Sequence, residues 1–231
     1  MEKKKGLTKW IVLAAVVLVV ALTCRVTVIY DTAPQTTVNE AGETVEVAKL
    51  TVPQQYCVQN WETKMLPTIA EKAVDGLTAL NAAKADLAAA GAQYATRENE
   101  TSAWNFCLTG KARVLSVENP EKKSKARLVV DCEPCDGAED MKIQVSSVIK
   151  TNAVRDAVGF LHLDDFANQV EFAELTKAFN ARIQQDLITN LDIPGLEGKE
   201  IEYLGCVAVA TSGLNSADDA LLIPVRLTEV T

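Results

Sequence analysis

From Asn105 to the end of the chain the hydrophobic period changes twice, and this constrains the fold more than any other feature of the sequence. Phe106, Leu108 and Ala112 alternate at period two, with Gly110 as an expected bulge; Leu128, Val130 and Cys132 alternate next, then Met141, Ile143, Val145 and Ser147. Alternation of this kind describes strands with one face in a core. Asn119-Pro120 and Asp136-Gly137 supply turns between them, so the three strands form a meander. The period then lengthens: Phe172, Leu175, Phe179, Ile183 and Leu187 mark one helical face, and Pro194-Gly195 is expected to stop that helix. Ile201, Tyr203, Val207 and Val209, then Leu221, Ile223, Val225 and Leu227, restore the strand period. Three strands, a helix and two strands is the order of an OB-fold, the small five-stranded Greek-key barrel. An α+β sandwich with the same strand count shares this order, because order along the chain does not determine pairing.

Upstream, Leu66, Ile69, Ala73, Leu77 and Leu80 recur at three- and four-residue steps and lead into an alanine-rich stretch to Ala92. Pro67 is expected in the first turn of this helical arm, Gly76 divides it and Gly91 ends it. The expected architecture is therefore α+β, with an N-terminal helical arm over 61–95 packed on a five-stranded OB-fold-like barrel over 105–230. The long helix lies between strands three and four, and 61–231 forms one globular domain. Residues 25–60 form a linker and lead-in, since Asp31 to Lys49 mix Pro, Thr, Gly and Glu without a sustained period.

The first 24 residues have the layout of an export signal. Lys3, Lys4, Lys5 and Lys9 precede an unbroken apolar run from Trp10 through Leu22, which Arg25 closes. The run is shorter than the roughly 20 residues of a spanning helix and fits a signal h-region. Ala21-Leu22-Thr23-Cys24 resembles a lipobox, making Cys24 a candidate for lipidation; the other reading is that Cys24 ends an uncleaved anchor. Either way the domain is expected on the extracytoplasmic face, tethered to a membrane by its N-terminus.

Composition narrows the partners. With 31 acidic against 23 basic residues and a net charge of −8, the surface repels phosphate backbones, and nucleic acid is not expected to bind. Apart from Cys24 there are Cys57, Cys107, Cys132, Cys135 and Cys206, an odd number. Cys132-Glu133-Pro134-Cys135 is a candidate local disulfide or an idle thiol pair in a hairpin; a redox role would want a helix start after it, and Asp136-Gly137 follows instead. A second pair at zinc-ribbon spacing is lacking, and the acids around Asp131 to Asp140 do not have EF-hand spacing, so no metal or other cofactor is expected. His162 is the single histidine, which excludes a multi-histidine site within the chain, and its leucine neighbours read as a structural setting.

Trp61-Glu62-Thr63-Lys64-Met65-Leu66-Pro67-Thr68, Asn152-Ala153-Val154-Arg155-Asp156-Ala157, Asp165-Phe166-Ala167-Asn168-Gln169-Val170-Glu171-Phe172 and Ile223-Pro224-Val225-Arg226-Leu227 together resemble the DUF2291 family of predicted periplasmic lipoproteins of unknown function. The resemblance implies an OB-like barrel and a gene often encoded beside sugar ABC-transporter components, hence a role near solute uptake. Within the central block, Arg155, Asp156, Asp165, Asn168 and Gln169 are the candidate ligand-binding residues, because amides and a carboxylate with an arginine grip hydroxyls or peptide groups at a barrel mouth. The competing reading has Arg155 and Asp156 satisfying one another and Asp165 and Asn168 capping helices. No catalytic constellation is present, so the expected function is an accessory binding or scaffolding module associated with sugar uptake, the alternative being a small polar ligand binder of the envelope.

Overall fold

The computed structural model describes residues 36–38, 44–46 and 50–230. The expected signal or anchor over 1–24, Cys24 included, lies outside the described residues. Thr36–Val38 (β1) and Thr44–Glu46 (β2) pair antiparallel as a hairpin in a unit of their own, inside the segment read as linker. Three-residue strands fall below the length at which periodicity registers. Among the described residues no helix is long and apolar enough to cross a membrane.

The second unit begins with helix. Val52–Asn60 (α1) starts where the Thr51 N–H donates to Gln54 Oε1 at 2.8 Å and Pro53 occupies the first turn, well ahead of the apolar period that starts near Trp61. A π turn over Trp61–Met65 joins it to Leu66–Lys72 (α2). Pro67 thus lies inside a long helical run and not in its first turn. The wider turn, in which the Leu66 N–H reaches Trp61 O, accommodates a residue that has no N–H to give. Val74–Asp75 (β3) then breaks the arm, and Asp75 caps Gly76–Ala85 (α3) by accepting from the Thr78 N–H. Asp86 caps Leu87–Tyr94 (α4) in the same way through the Ala89 N–H. Gly91 does not end that helix: it lies bare against the Trp104 ring, where a Cβ would come within 2.3 Å. Ala95–Thr96 (β4) completes the arm.

The five expected strands are Trp104–Glu118 (β5), Arg127–Cys132 (β6), Met141–Gln144 (β7), Glu200–Val209 (β8) and Leu221–Glu229 (β9). β5–β6, β6–β7 and β8–β9 are antiparallel, β7–β9 is parallel, and antiparallel β5–β8 closes the ring. Closure of β5 on β8 selects the barrel over the sandwich. β3 and β4 add short pairings along the outer edge of β5. Gly110 is not a bulge: pairing with β8 runs through Gly110 opposite Tyr203 unbroken, and the register shifts instead between Val114 and Ser116 against β6. The crossover from β7 to β8 carries Ala153–Ala157 (α5) and Gln169–Asp186 (α6). α6 ends ahead of Pro194, which opens a separate 3-10 turn over Pro194–Leu196.

Alternation along the strands divides the core into two layers. Phe106, Leu108, Val130, Ile143, Ile201 and Leu222 fill the barrel. Their outward neighbours Cys107, Leu204, Cys206 and Ile223 join a second layer, under the helices, with Trp61, Met65, Ile69, Leu175, Phe179 and Ile183. The first part of the arm, through α2, and α6 thus share one apolar layer on the outside of the barrel, while Ala79, Leu80, Ala83 and Ala90 of α3 and α4 pack with the barrel interior.

Candidate functional site

Three of the five expected binding residues, Arg155, Asp165 and Asn168, are engaged in structural contacts. Arg155, on α5, is buried; its Nε donates to Asp156 Oδ1 at 2.6 Å, its Nη1 to Phe172 O at 3.3 Å, and its guanidinium stacks 3.8 Å from the Phe172 ring centre. Asp165 accepts from the His162 N–H at 3.0 Å within a 3-10 turn. Asn168 caps α6, accepting from the Glu171 N–H at 2.9 Å, while Glu171 Oε2 accepts from the Ala167 N–H at 2.8 Å. Gln169 is exposed as the first residue of that helix. Asp156, which accepts from Arg155, also lines a cleft. Arg155→Ala is expected to cost about 2 kcal/mol in urea unfolding, less than a fully buried pair because Asp156 keeps partial solvent access; Arg155→Lys restores the charge but not the stack.

That cleft, about 440 Å³, runs along the seam between the arm and the barrel and is lined by Lys72 at the end of α2, Thr96 and Arg97 after α4, Trp104 at the start of β5, and Asp156 and His162 from the crossover. Trp104 forms a wall, with Arg97 stacked 4.1 Å from its ring centre. Thr96 Oγ1 donates to Asp156 O at 2.8 Å, which ties the arm to α5 across the cleft. His162 is exposed here, although its leucine neighbours read as a structural setting. Lys72 and Arg97 have no carboxylate within ion-pair distance among the described residues. Sequence reasoning passed over Lys72, Arg97 and Trp104, because nothing in the order of the chain brings them together. A second cleft of about 440 Å³, lined by Pro120, Val145, Ile188 and Ile193 among others, lies between the β5–β6 turn and the segment after α6 and presents fewer charges.

Of the cations on the barrel strands, all but the exposed Arg226 of β9 are engaged by carboxylates among the described residues. Lys111 pairs with Glu202 across β5–β8, and Arg113 with Glu200. Lys142, with only 8% of its side chain exposed, reaches Glu118 at 2.6 Å and Asp218 at 2.8 Å, and Asp218 also meets Arg127 at 3.3 Å. Asp218 and Glu118, accepting hydrogen bonds, hold the Lys142 amine well above its usual range, and Lys142 in turn holds Asp218 below the usual carboxylate range. The lowered Asp218 contributes stability above about pH 4 that is lost as pH falls through its folded value. The raised Lys142 contributes stability below about pH 10 that is lost only as pH rises through its own. The melting-temperature gap between wild type and Lys142→Met is therefore expected to be level from about pH 5 to about pH 9 and to narrow below about pH 4. A gap that widens in acid would contradict the network.

All five described cysteines are free thiols. Cys132 ends β6 with its thiol against Tyr203 Oη at 3.6 Å, and burial pushes it up to about 12. Cys135 donates instead to Asp131 O at 3.5 Å from a left-handed backbone, φ +59°. The candidate disulfide partners thus face different neighbours, with the Asp136-Gly137 turn and no helix after them. Among the described residues no three His, Cys, Asp or Glu side chains converge to hold a metal.

The family model described as "Predicted periplasmic lipoprotein (DUF2291)" matches residues 14–228, nearly the whole chain. The chain belongs to the DUF2291 family. Its location is accordingly the periplasmic envelope. A crystal structure of an OB-fold protein from Thermotoga maritima superposes with a TM-score of 0.65 at 15% identity, over 79% of this chain and 100% of that one. At that identity the likeness speaks for the fold alone, and the fold is the ring described above. No curated protein matches the chain. As a DUF2291 protein with an OB-type ring, the chain adds to that ring a helical arm whose seam with the barrel forms a charged cleft.

Proposed function

We propose that this DUF2291 protein is a membrane-tethered, non-enzymatic binding module that docks an anionic group of an envelope partner in the seam cleft. The observation that carries this reading is the contrast in charge engagement. In a chain of net charge −8, Lys111, Arg113, Arg127 and Lys142 on the barrel strands are held by carboxylates, while among the described residues Lys72 and Arg97 stand without such partners beside Trp104 in one concave cleft. Arg97 donates to Glu100 O at 3.2 Å and stacks on Trp104, but neither it nor Lys72 is neutralised by an ion pair, so in this concave, partly apolar site an incoming carboxylate or phosphate can offer charge-assisted hydrogen bonds. The partner class is a solute-uptake component, an ABC-transporter subunit or its binding protein, presenting an acidic segment. Nucleic acid fits poorly, because cations on the strands that an OB-fold uses for oligonucleotides are already paired.

Affinity capture from solubilised membranes tests this with the full chain as bait. Wild type is expected to retain a defined set of envelope proteins at low salt, and the double variant Lys72→Glu, Arg97→Glu to lose it. Equal retention by both would rule out the cleft as the docking site. The Trp104 wall, with Thr96, Asp156 and His162 beside it, favours a second reading, a small hydroxylated solute, since aromatic faces with amphoteric hydrogen-bonding groups suit sugars. Thermal shifts with neutral sugars that disappear in Trp104→Ala would select it.

A further inference from the structure

Cys107 and Cys206 stand directly opposite one another in the antiparallel register of β5 and β8, the pair of strands that closes the barrel. Both are buried and both point outward from the barrel into the layer beneath the helices. Opposite residues in such a ladder have Cα atoms about 4.5 to 5.5 Å apart, within the span of a disulfide. The two thiols do not have equal access. Cys107 lines a cleft of about 250 Å³ with Lys72, Thr96, Asn105 and Ala157, whereas Cys206 is wholly buried and does not line that cleft. The surroundings differ in the same sense: the neighbouring Cys206 thiol and Lys72 lower the Cys107 thiol, which itself donates to Ala157 O at 3.9 Å, while Cys206 is raised by its neighbour and by burial. Cys57, Cys132 and Cys135 are all raised. The DUF2291 assignment puts the pair in the periplasm, where disulfides form and persist.

We propose that Cys107 and Cys206 are a dithiol site that is oxidised to a cross-strand disulfide by exchange with a disulfide-bearing oxidant, Cys107 attacking and Cys206 resolving. In the first step the Cys107 thiolate attacks one sulfur of the oxidant; the oxidant's S–S bond breaks and its other half leaves as a thiolate that takes up a proton. In the second step Cys206 gives up its proton and attacks Cys107 Sγ, expelling the remaining half as a second thiol. The protein thiols lose two electrons and two protons, and the oxidant disulfide gains both. The bond fastens the two strands whose pairing closes the ring, directly below the seam cleft with which this smaller one shares Lys72, Ala95 and Thr96.

The test uses the full chain in detergent micelles, reduced and then equilibrated with oxidised glutathione, denatured with an alkylating agent, and mapped by mass spectrometry. The expected product is a peptide pair joined through Cys107 and Cys206, absent from the reduced sample, with a higher melting temperature for the oxidised form. Alkylation of both residues after oxidation, or a linkage confined to Cys132 and Cys135, would overturn the proposal. Cys206→Ser separates the two roles: it is expected to accumulate glutathione on Cys107, and an unmodified Cys107 would remove it as the attacking thiol.

Discussion

Phe179→Ala is expected to lower the free energy of unfolding by about 3 to 5 kcal/mol. Phe179 is fully buried on α6 and packs against Trp61 with ring centres 5.7 Å apart. Its ring sits where the long helix, the π turn of the arm and the outer face of the barrel meet, in the layer that also holds Met65, Ile69 and Leu175. Truncation removes the ring's transfer free energy and leaves a cavity lined by side chains from three directions, none of which can close it alone. Phe179→Leu keeps most of the volume and is expected to cost about 1 kcal/mol. Equilibrium denaturation of the three proteins checks the ranking; a cost for alanine no larger than for leucine would mean that the helices do not share one core with the barrel.

Gly205→Val is expected to destabilise by about 3 kcal/mol, for the opposite reason. A Cβ at Gly205 would lie 2.4 Å from Ile223 O, a main-chain atom of β9, and 2.8 Å from Leu222 Cδ2. A side chain in that position can rotate aside, but a carbonyl in a ladder cannot move without taking its strand along. The register of β8 on β9 shifts between Leu204 and Gly205, and at this irregularity the backbone of β9 occupies the space a side chain at Gly205 would need. Because both strands belong to the closed ring, the strain has no free edge at which to dissipate. The expected signs are a fall in denaturation midpoint and faster amide exchange in Leu204 and Ile223, with α3 and α4 little changed. A neutral substitution would contradict the β8–β9 geometry.

These two positions also show what the sequence made legible. Phe179 belongs to a stripe of Phe172, Leu175 and Ile183, all buried as the helical period requires, and each barrel strand announced itself by alternation because one of its faces fills the barrel. The arm was harder to delimit. Its first turns, Val52 to Asn60, have little amphipathic pattern, and Pro67 reads as a helix start only until the π turn is known. The block holding Arg155 and Asn168 drew notice for its polar groups, yet those groups are occupied by Asp156, Phe172 and helix capping, which a linear reading weighs only as an alternative. Conversely, Lys72, Arg97, Trp104 and His162 come together only through the order in which the arm, β5 and the crossover pack. The same applies to the cysteines. Spacing favours Cys132 with Cys135, whereas the opposition of Cys107 and Cys206 exists only in the register of a closed sheet.

Site-specific photocrosslinking in living cells tests the docking reading most directly. A photoreactive residue in place of Glu98, on the wall of the seam cleft beside Arg97, samples whatever enters that cleft in the living cell envelope. The expected result is a discrete crosslinked species containing a solute-uptake component, strongly reduced when Lys72→Glu and Arg97→Glu are added. A crosslinking pattern unaffected by the two charge reversals, or indistinguishable from that of a probe on the far side of the barrel, would contradict the account.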